Sequence, residues 1–300
     1  MNLYTINKEH SLALFVLILL LTGITFFNFN YKIPFLNIIC FFLISTIGVT
    51  HGALDNLKGY KILKIYGIKH KYIFYLLYII LSLLVIFFWV LLPLLTLSLF
   101  LFVASYHFGK EDSNFGKIKK TKLIDLYFFL KGSIVVLAPL IFHTEETLKI
   151  FGILDIQLRI ANIDILLLLL FFSLLSNIFI NDSTEVSLVD WFAILLLNIS
   201  FTPLVAFTIY FCFLHSVRHS ISLIYELNKD NFKKGFKDFV KKALPLTIVT
   251  GILYLISAYF LSNFYGLDDA ILKVIFIGLA SLTFPHILLE YLLEKNEKKS

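Results

Sequence analysis

Apolar residues arrive along this chain in long unbroken runs, separated by short polar stretches in which lysine recurs. There is little of the period-two alternation that marks a half-buried strand, and the runs are too long for soluble strands. About 20 apolar residues in helical form cross the hydrocarbon of a bilayer, so each run reads as a transmembrane helix. In chain order the runs are 11–29, 34–54, 72–92, 93–108, 123–142, 163–180, a longer region at 188–225, and then 243–264 and 270–293. Pro34 suits the first turn of its helix, and the third and fourth runs form a tight pair turning near Pro93. The first run has no clear small-residue cleavage site and is followed at once by a second span, so it reads as a helix and not as a signal peptide. The region 188–225 is too long for one span and splits near Ser200 to Pro203. The expected fold is an all-α polytopic membrane protein of about ten helices (8–10), with residues 1–300 as a single integral membrane domain and one bundle around a buried histidine site.

Composition agrees with this pattern. With 59% hydrophobic residues, 15% charged and a mean hydropathy of +0.88, the chain cannot hide its apolar side chains in one soluble core. Its 33 Phe suit lipid contact or an apolar ligand. The net charge of +6 changes the picture only through its placement. Of the 26 Lys and Arg, 20 fall at Lys8, in basic loops expected at 58–71, 110–122 and 229–242, and in a short tail at 294–300. These segments share one side of the bundle, so the positive-inside rule makes both termini cytoplasmic and the chain a multi-pass protein of the cell (inner) membrane. That parity requires an even number of crossings, which supports the split at Ser200 to Pro203. The segment 181–187 has no Lys or Arg, and a re-entrant segment between Ile163 and Phe207 is the alternative. The lysines thus report topology, and no nucleic-acid partner is expected. Cys40 and Cys212 lie inside apolar runs without metal-binding spacing, and the chain has no GxGxxG or P-loop motif.

The eight histidines sort by depth. His10, His70 and His143 lie at span ends, where water and headgroups serve them. His51 and His107 stand at the cytoplasmic ends of spans two and four, His215 and His219 a turn or more inside span eight, and His286 in the inner half of span ten. All five therefore fall in one leaflet. His215 and His219 are four residues apart, so both leave one helical face. A polar group in hydrocarbon needs a partner that water would otherwise supply, and several helices delivering imidazoles to one depth is the arrangement of a metal or haem site in a bundle core. Each histidine alone could equally hold two helices together through a carbonyl.

The spacing narrows the chemistry. Ser216 occupies the position where an HExxH protease needs glutamate. One HxxxH pair and three isolated histidines are fewer than the clustered boxes of the two-iron desaturases, and suffice for one ion. Neutral imidazole suits iron, zinc and copper alike. A His-liganded haem or copper protein, or a transporter using intramembrane histidine, therefore stays open. A transporter would be expected to show inverted repeats, and none is visible.

At these residues the chain resembles the Brp/Blh-type β-carotene 15,15′-dioxygenases, membrane proteins found with microbial rhodopsins. The resemblance rests on His51-Gly52 with Asp55 and Asn56, His107-Phe108-Gly109 with Glu111 and Asp112, His215-Ser216 with Arg218 and His219, and Pro285-His286. It implies a non-haem Fe(II) centre held by His51, His107, His215 and His219, with His286 and Asp55 behind the metal or as further ligands. It also implies cleavage of the central double bond of β-carotene by O2 to two molecules of retinal, the product passing to a microbial rhodopsin. An apolar rod dissolves only in the bilayer, so its path to the metal is expected to open to lipid between helices. With the histidines in one leaflet, that path is expected to lie oblique or near parallel to the membrane. Arg218 points off the histidine face and is expected to pair with a carboxylate such as Asp112 or Glu226; Asp55, four residues after His51, is placed either to orient that ring or to pair with a cytoplasmic lysine. Lys131 interrupts span five without an evident role.

Overall fold

A computed structural model describes residues 3–26, 34–113, 118, 121–160, 162–180 and 183–297, apart from the side chains of residues 51 and 297. Regular structure among these residues is helical. The helices are α1 (Leu3–Phe26), α2 (Leu36–Thr46), α3 (Asp55–Ile65), α4 (Tyr72–Leu91), α5 (Pro93–Glu111), α6 (Ile124–Gly132), α7 (Ile134–Phe142) and α8 (Thr144–Ile153). They continue with α9 (Ile163–Ile180), α10 (Thr184–Ser200), α11 (Pro203–Ile209), α12 (Val217–Leu227), α13 (Phe232–Ser262) and α14 (Leu267–Glu297). A tight 3₁₀ segment, Gly48–Leu54, joins α2 to α3, and a widened π-helical turn, Tyr210–Ser216, joins α11 to α12.

Among the described residues seven stretches are long and apolar enough to cross a membrane, and eight if the bent pair 36–50 and 52–65 is one span. Eight is the lower end of the eight to ten expected, and seven falls below it. The two runs that fall short are α5 and α10, and the reason is chemical. α10 has 17 residues with Asp190 in its interior, while the last turns of α5 carry His107, Lys110 and Glu111. Both helices carry polar groups that other parts of the fold use.

The break between α10 and α11 falls where expected. Phe201 is extended and Pro203 opens the next helix, a position where its missing N–H costs nothing. The basic loops are corrected. Lys58, Lys61 and Lys64 lie on α3, and Lys233 to Lys242 occupy the first turns of α13. At 31 residues α13 is about 46 Å long, well beyond the hydrocarbon thickness, so its basic end has room to reach the headgroups. In the tail, α14 runs to Glu297, and residues 298–300 lie outside the described part.

Burial separates centre from periphery. In α11 through α12, 61% of the most apolar window is buried, and in α14 56%, against 11% in α4 and in α13. The histidine-bearing helices therefore form the middle. α5 and α6 meet at very close range: a Cβ on Gly109 would lie 1.8 Å from the Phe128 carbonyl oxygen, and one on Gly132 1.9 Å from that of Ser105. Paired glycines allow the two backbones to touch, as small residues do at membrane helix crossings.

Candidate metal centre

Four of the five intramembrane histidines come together. His107 from α5, His215 from the π-helical turn, His219 from α12 and His286 from α14 are all buried. The His107 ring centroid lies 5.4 Å from that of His215 and 5.3 Å from that of His286, and His219 lies 6.0 Å from His286. The side chain of His51, the fifth, lies outside the described residues. Its backbone segment nevertheless packs on the cluster, since a Cβ on the adjacent Gly52 would come 3.9 Å from His286 Nδ1. The segment is fastened from the other side by Ser216, whose hydroxyl donates to the Gly48 carbonyl at 2.8 Å.

Each of the four rings turns Nδ1 toward its own carboxylate. His215 Nδ1 lies 3.0 Å from Asp112 Oδ1, His219 Nδ1 2.9 Å from Glu111 Oε2, and His286 Nδ1 2.9 Å from both oxygens of Asp55. His107 Nδ1 is 3.6 Å from Glu290 Oε2. An ionised carboxylate only accepts hydrogen bonds, so in a neutral His215, His219 or His286 ring so held the proton sits on Nδ1 and the lone pair on Nε2, whereas the 3.6 Å at His107 is too long for a hydrogen bond. That tautomer is the one a metal binds, and a carboxylate behind the ring fixes its direction.

The carboxylates are themselves held. Tyr210 donates to Asp112 Oδ2 at 2.7 Å, Tyr78 to Asp55 Oδ2 at 3.0 Å, and Lys58 to Glu290 Oε1 at 2.9 Å. Burial pushes the Asp112 carboxyl up, but His215, Arg218 and the Tyr210 hydroxyl together hold it well below the usual carboxylate range, so it stays ionised. Arg218 is bound bidentately by Asp190, at 2.7 and 3.0 Å, and also donates to Ser11 Oγ and to the Asp112 backbone carbonyl. This corrects the expected partner, which was the side chain of Asp112 or Glu226. Lys131 acquires a role: its ammonium donates to the Asp112 carbonyl at 3.0 Å, to Ser113 Oγ at 2.9 Å and to Ser187 Oγ at 2.8 Å. Two buried cations thus grip the turn that follows α5 and presents Glu111 and Asp112.

The donor chemistry fits a divalent cation. Asp55, Glu111, Asp112 and Glu290 bring four carboxylates to the cluster against the two ammonium groups of Lys58 and Lys131, because Arg218 is already matched by Asp190. Such an excess of buried negative charge is costly unless a cation offsets it. Among the described residues two groups each have their ligand atoms within 4.8 Å of one another: His107, His286 and Glu290, and Glu111, His219 and Glu290.

The ring that Asp55 meets among the described residues is His286, where the sequence had set it beside His51. Glu111 was visible in the sequence as a motif residue without a role, and Asp112 only as a motif residue and candidate partner of Arg218. Glu290 was missed, and its signal was its place four residues after His286, on the same helical face. Of the histidines expected at interfaces, His143 lies 3.7 Å from Glu146 and His70 is exposed. His10 differs, being half-buried close to Arg218 and Asp190.

An all-helical chain with several long apolar helices and a buttressed histidine cluster defines a membrane protein with the donor set of a metalloenzyme. The family model described as "Beta-carotene 15,15'-dioxygenase" matches residues 42–294, and the chain belongs to that family. It is 30% identical over 268 residues to the Beta-carotene 15,15'-dioxygenase of Uncultured marine bacterium 66A03, covering 82% of this chain and 90% of that protein. No solved structure matches.

Proposed function

We propose that the chain is a membrane-embedded, O2-dependent, carotenoid-cleaving dioxygenase that splits β-carotene at its central 15,15′ double bond. One C=C bond breaks, each carbon gains one oxygen atom of O2, and two molecules of retinal result. Family membership supports the reaction; the observation that carries the site is the set of imidazoles whose Nδ1 atoms face Asp112, Glu111, Asp55 and Glu290.

Fe(II) is the cofactor in this reading, held by His107, His215 and His219 together with His51, which the motif names. His286 joins them, because it has the same carboxylate-backed arrangement and its ring neighbours both His107 and His219. Iron so held supplies redox chemistry toward dioxygen. The residues of the chain do the rest. Asp112, Glu111 and Asp55 keep their imidazoles in the ligating tautomer, and Lys131 and Arg218 hold the Asp112 backbone. Phe108 and Phe211, whose ring centroids lie 4.8 and 5.8 Å from that of His215, exclude water from that side. Both termini face the cytoplasm of the cell membrane in this reading, which the lysine distribution supports, and retinal passes to a rhodopsin.

Expression in cells that accumulate β-carotene tests the reaction. Orange colour is expected to fade as retinal appears, and His215→Ala or His219→Ala is expected to abolish both changes while His143→Ala leaves them near normal. Unchanged carotene with the protein present in the membrane and iron supplied would overturn the reading.

A further inference from the structure

An apolar cavity of about 490 Å³ lies between α4, α5 and α14, away from the histidine rings. Its walls include Leu84 and Phe88 of α4, Leu95 and Leu99 of α5, and Phe284 and Pro285 of α14. The volume falls within the roughly 300–1,000 Å³ of ordinary ligand pockets. No ionisable side chain lines it, and its one hydroxyl, on Thr96, is already bonded to the Leu92 carbonyl at 3.0 Å. On α4 the lining recurs along a single face from Leu81 to Leu92, eleven residues or about 16 Å of helix, so the cavity is elongated. Leu84, Leu95 and Leu99 are each close to half exposed, which opens it sideways between helices.

We propose that this groove seats one arm of the polyene substrate, a deepening that rests on the dioxygenase reading above. Two features single out this occupant. The third wall is the turn of α14 in which Pro285 directly precedes His286, so the groove lies one residue along that helix from the histidine cluster. A wall without charge or spare hydrogen-bonding capacity is also complementary to a hydrocarbon rod, which asks only for exclusion of water and loses little freedom on binding because it is already stiff. The groove opens between helices, and its long direction follows α4.

The test is bound β-carotene per protein, read by visible absorbance on purified iron-free full-length chain, alongside cleavage by the iron-loaded form. Leu84→Trp with Leu95→Trp fills the groove, Leu99→Trp is a milder filling, and Val90→Trp adds the same bulk on the opposite, exposed face of α4. The filled variants are expected to keep their iron, bind β-carotene about 10–200-fold more weakly, and cleave a polyene with one truncated arm better than the full rod. Val90→Trp is expected to match the parent chain. Filled variants that bind and cleave like the parent, or a Val90→Trp that loses as much, would overturn the groove while leaving the dioxygenase reading intact. A parent chain that binds in the groove but releases no retinal would overturn the reading and leave the groove standing. A parent chain that neither binds nor cleaves would overturn both.

Discussion

At the scale of single residues the site depends on carboxylates placed behind imidazoles. Asp112→Asn preserves shape but removes the ionised acceptor for His215 Nδ1, so iron affinity is expected to fall about 10–100-fold, measured by metal analysis across a chelator series. His286→Ala is expected to lose iron as His215→Ala does, and His143→Ala to retain it; an iron-replete His286→Ala would move His286 out of the ligand set. Asp190→Ala leaves the Arg218 guanidinium buried without its bidentate partner, a change that costs about 3–5 kcal/mol, read as a lowered unfolding midpoint in detergent. The sequence located the histidines because a polar ring in an apolar run stands out. It assigned Arg218 the wrong partner because Asp190 lies 28 residues away on another helix, and no local spacing encodes that contact. Glu290 was overlooked because a carboxylate near a helix end reads as solvated, whereas here it sits between Lys58 and His107.

Among the helices, the decisive contact is the crossing of α5 and α6. Gly109 and Gly132 allow it, and α5 carries His107, Glu111 and then Asp112 into the cluster. Gly132→Leu forces backbone apart from backbone, with an overpacking cost of about 1–3 kcal/mol. The expected result is a protein that still inserts in the membrane but binds little iron and makes little retinal. Normal activity in that variant would show the close crossing to be dispensable. The break at Phe201–Pro203 was readable from proline chemistry, and the π-helical turn at Tyr210–Ser216 was not. Widened turns depend on tertiary demands rather than local propensity. This one carries Tyr210 and His215 to the same carboxylate, Asp112. The basic loops became helix ends because lysine is a good helix former, and a charge run alone does not say where a helix begins.

For the whole molecule, the all-helical, apolar architecture followed from run length, while the number of spans did not. α5 and α10 trade apolar residues for polar groups that build and brace the site, so a hydropathy criterion leaves out these two helices while it keeps α11–α12 and α14, which carry the other three clustered histidines. Removal of the metal with a chelator is expected to abolish cleavage, and Fe(II) to restore it where Zn(II), which has no redox chemistry, does not. The central claim is that this membrane-bound histidine cluster cleaves a symmetric polyene at its midpoint. The most direct measurement is the product stoichiometry of the purified, Fe(II)-loaded chain in lipid vesicles supplied with β-carotene and O2. The account predicts two retinals for every carotene consumed and no fragments of unequal length. Unequal fragments, or consumption of carotene without retinal, would contradict it.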